Sequence, residues 1–416
     1  MTDYHVPRGA TVKLDRIEGE LKVGHKARIE ANSGNLVTVT EGAYFEGAAE
    51  VACDFECDSL QVSSGGVLRV YGNLTVNKLL DVNHSIEVAG TLRAGEIDVG
   101  GKIEAKNLSC TRMRVGGKIE VQQQLEVLES LNVGGRVDAP GTVIIRDFDV
   151  GGMADVGGGK ISGKIRVGGK FESRSKLEFG DLQVYGRTSL GARSSGTRIS
   201  TYGKLAISGD FECDEMEVYG KTEIYGNCSS KRIKVNGLLE VHGSLQTEEL
   251  FEINGSSEID QDLKGTNVRV GGKLEADRVV VSNEIEISGM AETKRGLKAR
   301  VVKVGSGSKI GGVIVGELVD IGKSFAAVVD WEKKWMGQVA AMRLVGRMTR
   351  VEDIYANEVR LGKASKCEKI FAKVVEIEEG SIAEEIYYTD ELRGSLERAH
   401  VEKPPVKVAS LPEPPI

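Results

Sequence analysis

Residues 102–121 read KIEAKNLSCTRMRVGGKIEV. Apolar residues recur in this stretch as pairs separated by one residue: Ile103/Ala105, Leu108/Cys110 and Met113/Val115. After Gly116-Gly117 the pattern restarts with Ile119/Val121. A spacing of two places both members of a pair on the same side of an extended strand. Three such pairs and a glycine corner therefore describe one coil of a three-sided parallel β-helix. Helical repeats would show apolar spacings of three and four instead.

The same corner recurs along the chain. Aligned on their last glycine, the corners are Gly101, Gly117, Gly135, Gly152, Gly169, Gly186 and Gly203, then Gly220, Gly237, Gly255, Gly272 and Gly289. The mean step over these eleven intervals is (289−101)/11, or about 17 residues. The expected fold is thus all-β, a single-stranded parallel β-helix with about 17 residues per coil. Glycine is expected at the corners because tight turns often need positive φ.

Composition agrees with this reading. Of 416 residues, 53 are Gly and only 7 are Pro, with 40% hydrophobic and 5% aromatic residues. Collagen would need far more proline, and a disordered chain would have fewer apolar residues. The 55 basic and 62 acidic residues are intermixed, giving a formal charge of −7 and no basic footprint for nucleic acid.

The repeat divides the chain into an N-terminal segment (1–16), a main β-helix (17–322), a coil with an insertion (323–345), C-terminal coils (346–393) and a tail (394–416). The insertion carries both tryptophans, Trp331 and Trp335, which are expected to touch a partner or cover a flank. Five of the seven prolines lie between Pro404 and Pro415, so the tail is expected to be flexible. A membrane or protein partner would engage the insertion or the tail. Neither a signal-like apolar run nor a spanning segment occurs, and a cytoplasmic location, possible at a membrane surface, is expected.

Outward positions carry charge in a pattern. Glu217, Lys234, Glu252, Arg269, Glu286 and Lys303 alternate in sign from coil to coil. A second column is acidic (Glu104, Glu120, Asp138, Asp155, Glu172), with basic residues such as Lys102, Lys118 and Arg136 two positions earlier. Such columns pair along a face, and they also suit lateral association or cation binding.

Catalytic chemistry is not indicated. The five histidines are scattered, Cys53, Cys57, Cys110 and Cys213 fall in apolar pairs that face the lumen, and no Gly-Lys-Ser/Thr loop leads into a helix. No catalytic, cofactor or metal residue is expected, and the chain is not expected to be an enzyme.

Val115-Gly116-Gly117-Lys118-Ile119-Glu120-Val121, Val167-Gly168-Gly169-Lys170-Phe171-Glu172 and Ile354 to Gly362 together resemble the bactofilins, the polymer-forming cytoskeletal proteins. That resemblance implies a right-handed β-helix that polymerises end to end without nucleotide and serves as a scaffold. This repeat array is longer than is typical of them. Exposed strand edges at the ends of a β-helix are templates for another chain. Self-association is therefore expected through terminal coils near Leu21/Val23 and near Ile377, Ile382 and Ile386. A non-polymerising assembly scaffold, of the kind used in iron–sulfur cluster assembly, is the second expectation, and an acyltransferase-like β-helix enzyme the third.

Overall fold

The computed structural model describes residues 3–63, 65–322, 348–394 and 396–415. It divides into two compact units, Met1–Gly209 and Asp210–Ile416. Both are β-solenoids, and no helix occurs among the described residues. Strand pairing within each unit is parallel, each coil bonding to the next at a step of 16 to 22 residues, except that Lys309–Ile321 bonds to Thr349–Leu361 at a step of 40 or 41.

Local sequence explains each coil. In strand Lys102–Val115 the burial alternates, and Ile103, Ala105, Leu108, Cys110, Met113 and Val115 are all buried. The three pairs define three sides, called A, B and C in order after the glycine corner. Ile103 stacks in register on Ile86 and Ile119, Leu108 on Leu92 and Leu125, and Met113 on Ile97 and Leu131. Each coil thus adds about six side chains to a continuous lumen, at roughly 1.5–3 kcal/mol for each large aliphatic. Where the lumen widens, aromatic rings fill it edge to face, as Phe45 does with Phe55 at 6.2 Å and Phe148 with Phe171 at 6.1 Å.

The corner glycines serve a different purpose from the one expected. None of Gly101 to Gly289 in the aligned series has a left-handed backbone; positive φ occurs instead at other glycines such as Gly158 and Gly296, and at Lys26, Arg193 and Ala364. The constraint is closeness. A Cβ on Gly117 would fall well inside contact distance of the Gly101 carbonyl oxygen, and the same holds for Gly152 on Gly135 and for Gly272 on Gly255. The preceding glycine of each corner is less crowded: a Cβ on Gly151 would meet nothing nearer than 3.6 Å.

The coil array also extends beyond its expected limits. Tyr4–Val6, Thr11–Leu14 and Arg16–Ile17, within or bordering the supposed N-terminal segment, are the three sides of a first coil and pair with Leu21–Val23, Arg28–Ala31 and Leu36–Phe45. At the other end, the supposed flexible tail contributes two strands. His400 pairs with Ile382, Val401 with Ala383, Val406 with Tyr387 and Lys407 with Tyr388. Each extension carries isolated apolar pairs without a Gly-Gly corner, so the corner motif does not mark it.

Some lumen positions are polar. Thr222 is fully buried on side A, stacked on Leu239, and its hydroxyl has no hydrogen-bond partner.

Two stability predictions follow from this packing. Gly152→Ala should lower the denaturation midpoint by the equivalent of about 1–3 kcal/mol through overpacking, whereas Gly151→Ala should stay within about 1 kcal/mol of the parent. Equal effects would refute the crowding argument. Thr222→Val should raise stability by about 1 kcal/mol, because it removes an unpaired buried hydroxyl; thermal melting of the full chain measures it.

Candidate functional site

The three outer faces differ in chemistry because only the middle residue of each apolar-x-apolar pair reaches solvent. On side C of the second unit, Glu217 stacks on Lys234, Lys234 on Glu252, Glu252 on Arg269, Arg269 on Glu286 and Glu286 on Lys303. The alternation continues past the expected limit: Lys303 stacks on Asp320, Asp320 on Arg360, Arg360 on Glu376 and Glu376 on Arg393. Ten successive rows therefore change sign at every step. Neighbouring rows pair along the column, with Lys234 at 3.5 Å from Glu252 and Arg360 at 3.5 Å from Glu376. Adjacent positions add partners, such as Glu284 at 2.7 Å from Lys303 and Glu358 at 2.8 Å from Arg360. Hydrogen bonding to Glu284 holds the Lys303 pKa above its ordinary value, and Glu358 does the same for Arg360.

Side A carries the acidic column. In the first unit Glu104, Glu120, Asp138, Asp155 and Glu172 stack in register, and in the second unit Glu223, Glu240, Glu258, Glu275 and Glu292 do so. Cations sit between several of these carboxylates. Lys102 lies 2.7 Å from Glu104 and 2.6 Å from Glu120, and Lys221 lies 2.7 Å from Glu223 and 3.0 Å from Glu240. Glu120 is held below the usual carboxylate range by hydrogen bonds from Lys102 and Lys118, and Lys221 is pushed up to about 12 by Glu223 and Glu240. No group of three His, Cys, Asp or Glu side chains converges as a metal site would need, among the described residues.

On side B of the second unit the outward column is apolar from Val315 through Tyr355, Phe371 and Tyr387, after polar rows at Gln246, Lys264 and Lys298. Tyr355 stacks on Phe371 at 4.7 Å and Phe371 on Tyr387 at 5.0 Å. The column continues through Val406, which pairs with Tyr387. Beyond Val408, whose N–H donates to the Tyr388 carbonyl, the chain doubles back, because Pro415 lines a cavity with Leu297, Val313 and Val315. Seven residues of extended chain span about 23 Å, enough to recross these coils. The cavity has a volume of about 340 Å³ and is rimmed by Arg278, Lys294, Arg295 and Lys298.

Beside it lies an ion-pair cluster that joins three coils. Asp262, with 13% of its side chain exposed, accepts hydrogen bonds from Arg278 at 2.6 Å and Arg295 at 3.0 Å; Arg295 also pairs with Asp277. The Arg278 hydrogen bond, helped by the charges of Arg278 and Arg295, holds Asp262 below its ordinary pKa against desolvation. Sequence periodicity does not reveal this cluster, because its members sit at corners rather than in the repeating pairs.

The residues expected at the ends lie one coil inside them. Leu21 and Val23 are fully buried, and their strand is flanked by Tyr4–Val6 on one side and Leu36–Phe45 on the other. Ile377 and Ile386 are buried in the lumen, and Ile382 is a half-buried outward residue paired with both Lys366 and His400. Among the described residues, the outermost strands are those of residues 4–17 and 400–407. Trp331 and Trp335 lie outside the described residues.

The six cysteines occupy the lumen, all buried and unbridged. Burial pushes the Cys57, Cys110 and Cys213 thiols up to about 12, where they are neither nucleophiles nor ready ligands. Among the histidines, His242 lies on Tyr225 and pairs with Asp260 at 3.0 Å. No helix among the described residues is long and apolar enough to cross a membrane. Comparison of the chain with protein-family models, with curated proteins and with solved structures finds no match.

Asp262→Asn should destabilise the chain by about 1–3 kcal/mol at neutral pH, as loss of hydrogen bonds to a charged group does. Asp262 has a depressed native pKa, so its contribution is fully present above the ordinary carboxylate value and fades as pH falls through the native one. Denaturation curves of parent and variant should therefore converge below about pH 4. A gap that persists at low pH would contradict this assignment.

Proposed function

We propose that this protein is a structural scaffold that associates with copies of itself through the open edge of its first coil, with coils wound right-handed as the bactofilin resemblance implies. The observation that carries this reading is the pairing of that coil. Tyr4–Val6, Thr11–Leu14 and Arg16–Ile17 each have a strand partner on one side only, among the described residues. Within Tyr4–Val6 the Tyr4 N–H donates to Glu20 and the Val6 carbonyl accepts from Gly24. The alternation of strand hydrogen bonding then turns the N–H and C=O of His5 away from the protein's own second coil. These are unmet groups on a pre-shaped edge, which is the template for strand addition. Pro7, Lys13 and Arg16 guard it against indiscriminate pairing and so favour a partner of matching shape.

The last coils of the second unit favour limited rather than open-ended growth. Its last complete coil is covered on sides A and B by His400–Val401 and Val406–Lys407. Two copies meeting at their first coils would form a closed pair, and filaments would need these tail strands to lift.

Sedimentation and negative-stain imaging of the purified chain test the proposal. The expected result is a concentration-dependent pair, converted to longer polymers by deleting residues 400–415. His5→Pro removes an outward donor without removing the bonds made by Tyr4 and Val6, and should weaken association at least tenfold while leaving the melting temperature near that of the parent. A chain that remains monomeric at all concentrations, or one whose association ignores His5→Pro, would overturn it.

A further inference from the structure

The alternating column on side C of the second unit has a property that its individual ion pairs do not reveal. Its ten rows, Glu217 to Arg393, begin with an anion and end with a cation. Turned end for end, such a column is its own complement. Row one then faces row ten, row two faces row nine, and all ten row pairings match opposite charges, eight of them between side chains that reach the surface, since Asp320 in row seven is buried. In the parallel orientation at the same height, every contact joins like charges. We propose that this face is a lateral interface for a second copy of the same chain, packed antiparallel and in register about a two-fold axis.

Three observations support the second copy as occupant. The face is a sheet surface whose rows repeat at strand spacing, so nine steps span about 43 Å without loss of register. Nine of the ten members are at least partly exposed, with side-chain exposure of 44% at Lys234, 60% at Arg269, 43% at Glu376 and 52% at Arg393, whereas Asp320 in row seven is buried. Finally, the signs cancel along the column, five anions against five cations, so the face has little long-range attraction for a uniformly charged nucleic acid or membrane, while a partner with the same spacing meets it row by row. A two-fold interface requires a self-complementary patch, and an even-numbered alternating column meets that requirement. Exposed pairs each contribute only about 0.2–1 kcal/mol, so the contact depends on the number of rows and weakens with salt. It is separate from stacking at the first coil, which involves a different surface.

The test uses the full chain carrying His5→Pro, so that only lateral contact remains. Sedimentation velocity should find pairs at about 0.01 M salt and monomers at about 1 M, where the screening length falls to about 3 Å. Lys234 in row two faces Glu376 in row nine across the proposed axis. Lys234→Glu and Glu376→Lys, each alone, should therefore associate on the order of tenfold more weakly, because each homodimer holds two like-charge contacts. Mixed together, the two variants should regain association, since the mixed pair restores opposite charges at both places. Matched circular dichroism and melting curves exclude misfolding as the cause, and the mixing result itself requires folded partners. Salt-indifferent association, no association at low salt, or a mixture that pairs no better than its components would overturn the proposal. Recovery in a parallel packing offset by one coil is not expected, because that packing sets row two against rows one or three.

Discussion

Each coil donates and accepts its backbone hydrogen bonds with the coil before and after it, at the fixed separation of neighbouring strands. Every other feature of the two units is subordinate to that spacing. Because the separation is constant, each residue is stacked on its counterpart one coil away, and whatever chemistry occupies a position is repeated as a column. Apolar pairs become a lumen, glycines become a corner seam, and charges become ladders. The lumen is filled mainly by Val, Ile, Leu, Ala and Cys, with Phe rings meeting edge to face at Phe45/Phe55 and Phe148/Phe171.

The seam shows how strictly the spacing acts. Backbone approaches so closely at the second glycine of each corner that no side-chain atom fits against the carbonyl beneath it. The ladders show the opposite case, where spacing creates opportunity. Like charges stacked at this distance repel, as the acidic column of side A would without Lys102, Lys221 and their counterparts between the carboxylates. Side C of the second unit avoids the problem by alternating sign, and this arrangement provides both internal pairing and a surface that matches its own reverse.

Most of the coil interior was legible in the sequence because a period of two within strands and of about 17 between corners leaves little freedom. Ile103/Ala105, Leu108/Cys110 and Met113/Val115 occupy the lumen as their spacing requires, and Cys53, Cys57, Cys110 and Cys213 lie there for the same reason. The ends were less legible. Tyr4-x-Val6 and Val12-x-Leu14 are short pairs without a glycine corner, and a proline-rich composition hid the pairing of His400–Val401 and Val406–Lys407, since prolines interrupt a strand without preventing its neighbours from pairing. The terminal assignment at Leu21 and Ile377 was consequently displaced inward by one coil. The Asp262, Arg278 and Arg295 cluster was not legible at all: its members are 16 and 17 residues apart at corner positions, where the repeat carries no apolar signal.

By itself the sequence determined the parallel β-helical coil, its length, most of the lumen residues and the sign alternation from Glu217 to Lys303, because these depend on local periodicity alone. The tertiary structure decided why the corners are glycine, where the first and last coils lie, which carboxylates share a cation, and how the tail returns to side B. Those outcomes depend on distances between coils, and distance across a turn of the solenoid is set by stacked backbone rather than by any one residue's propensity.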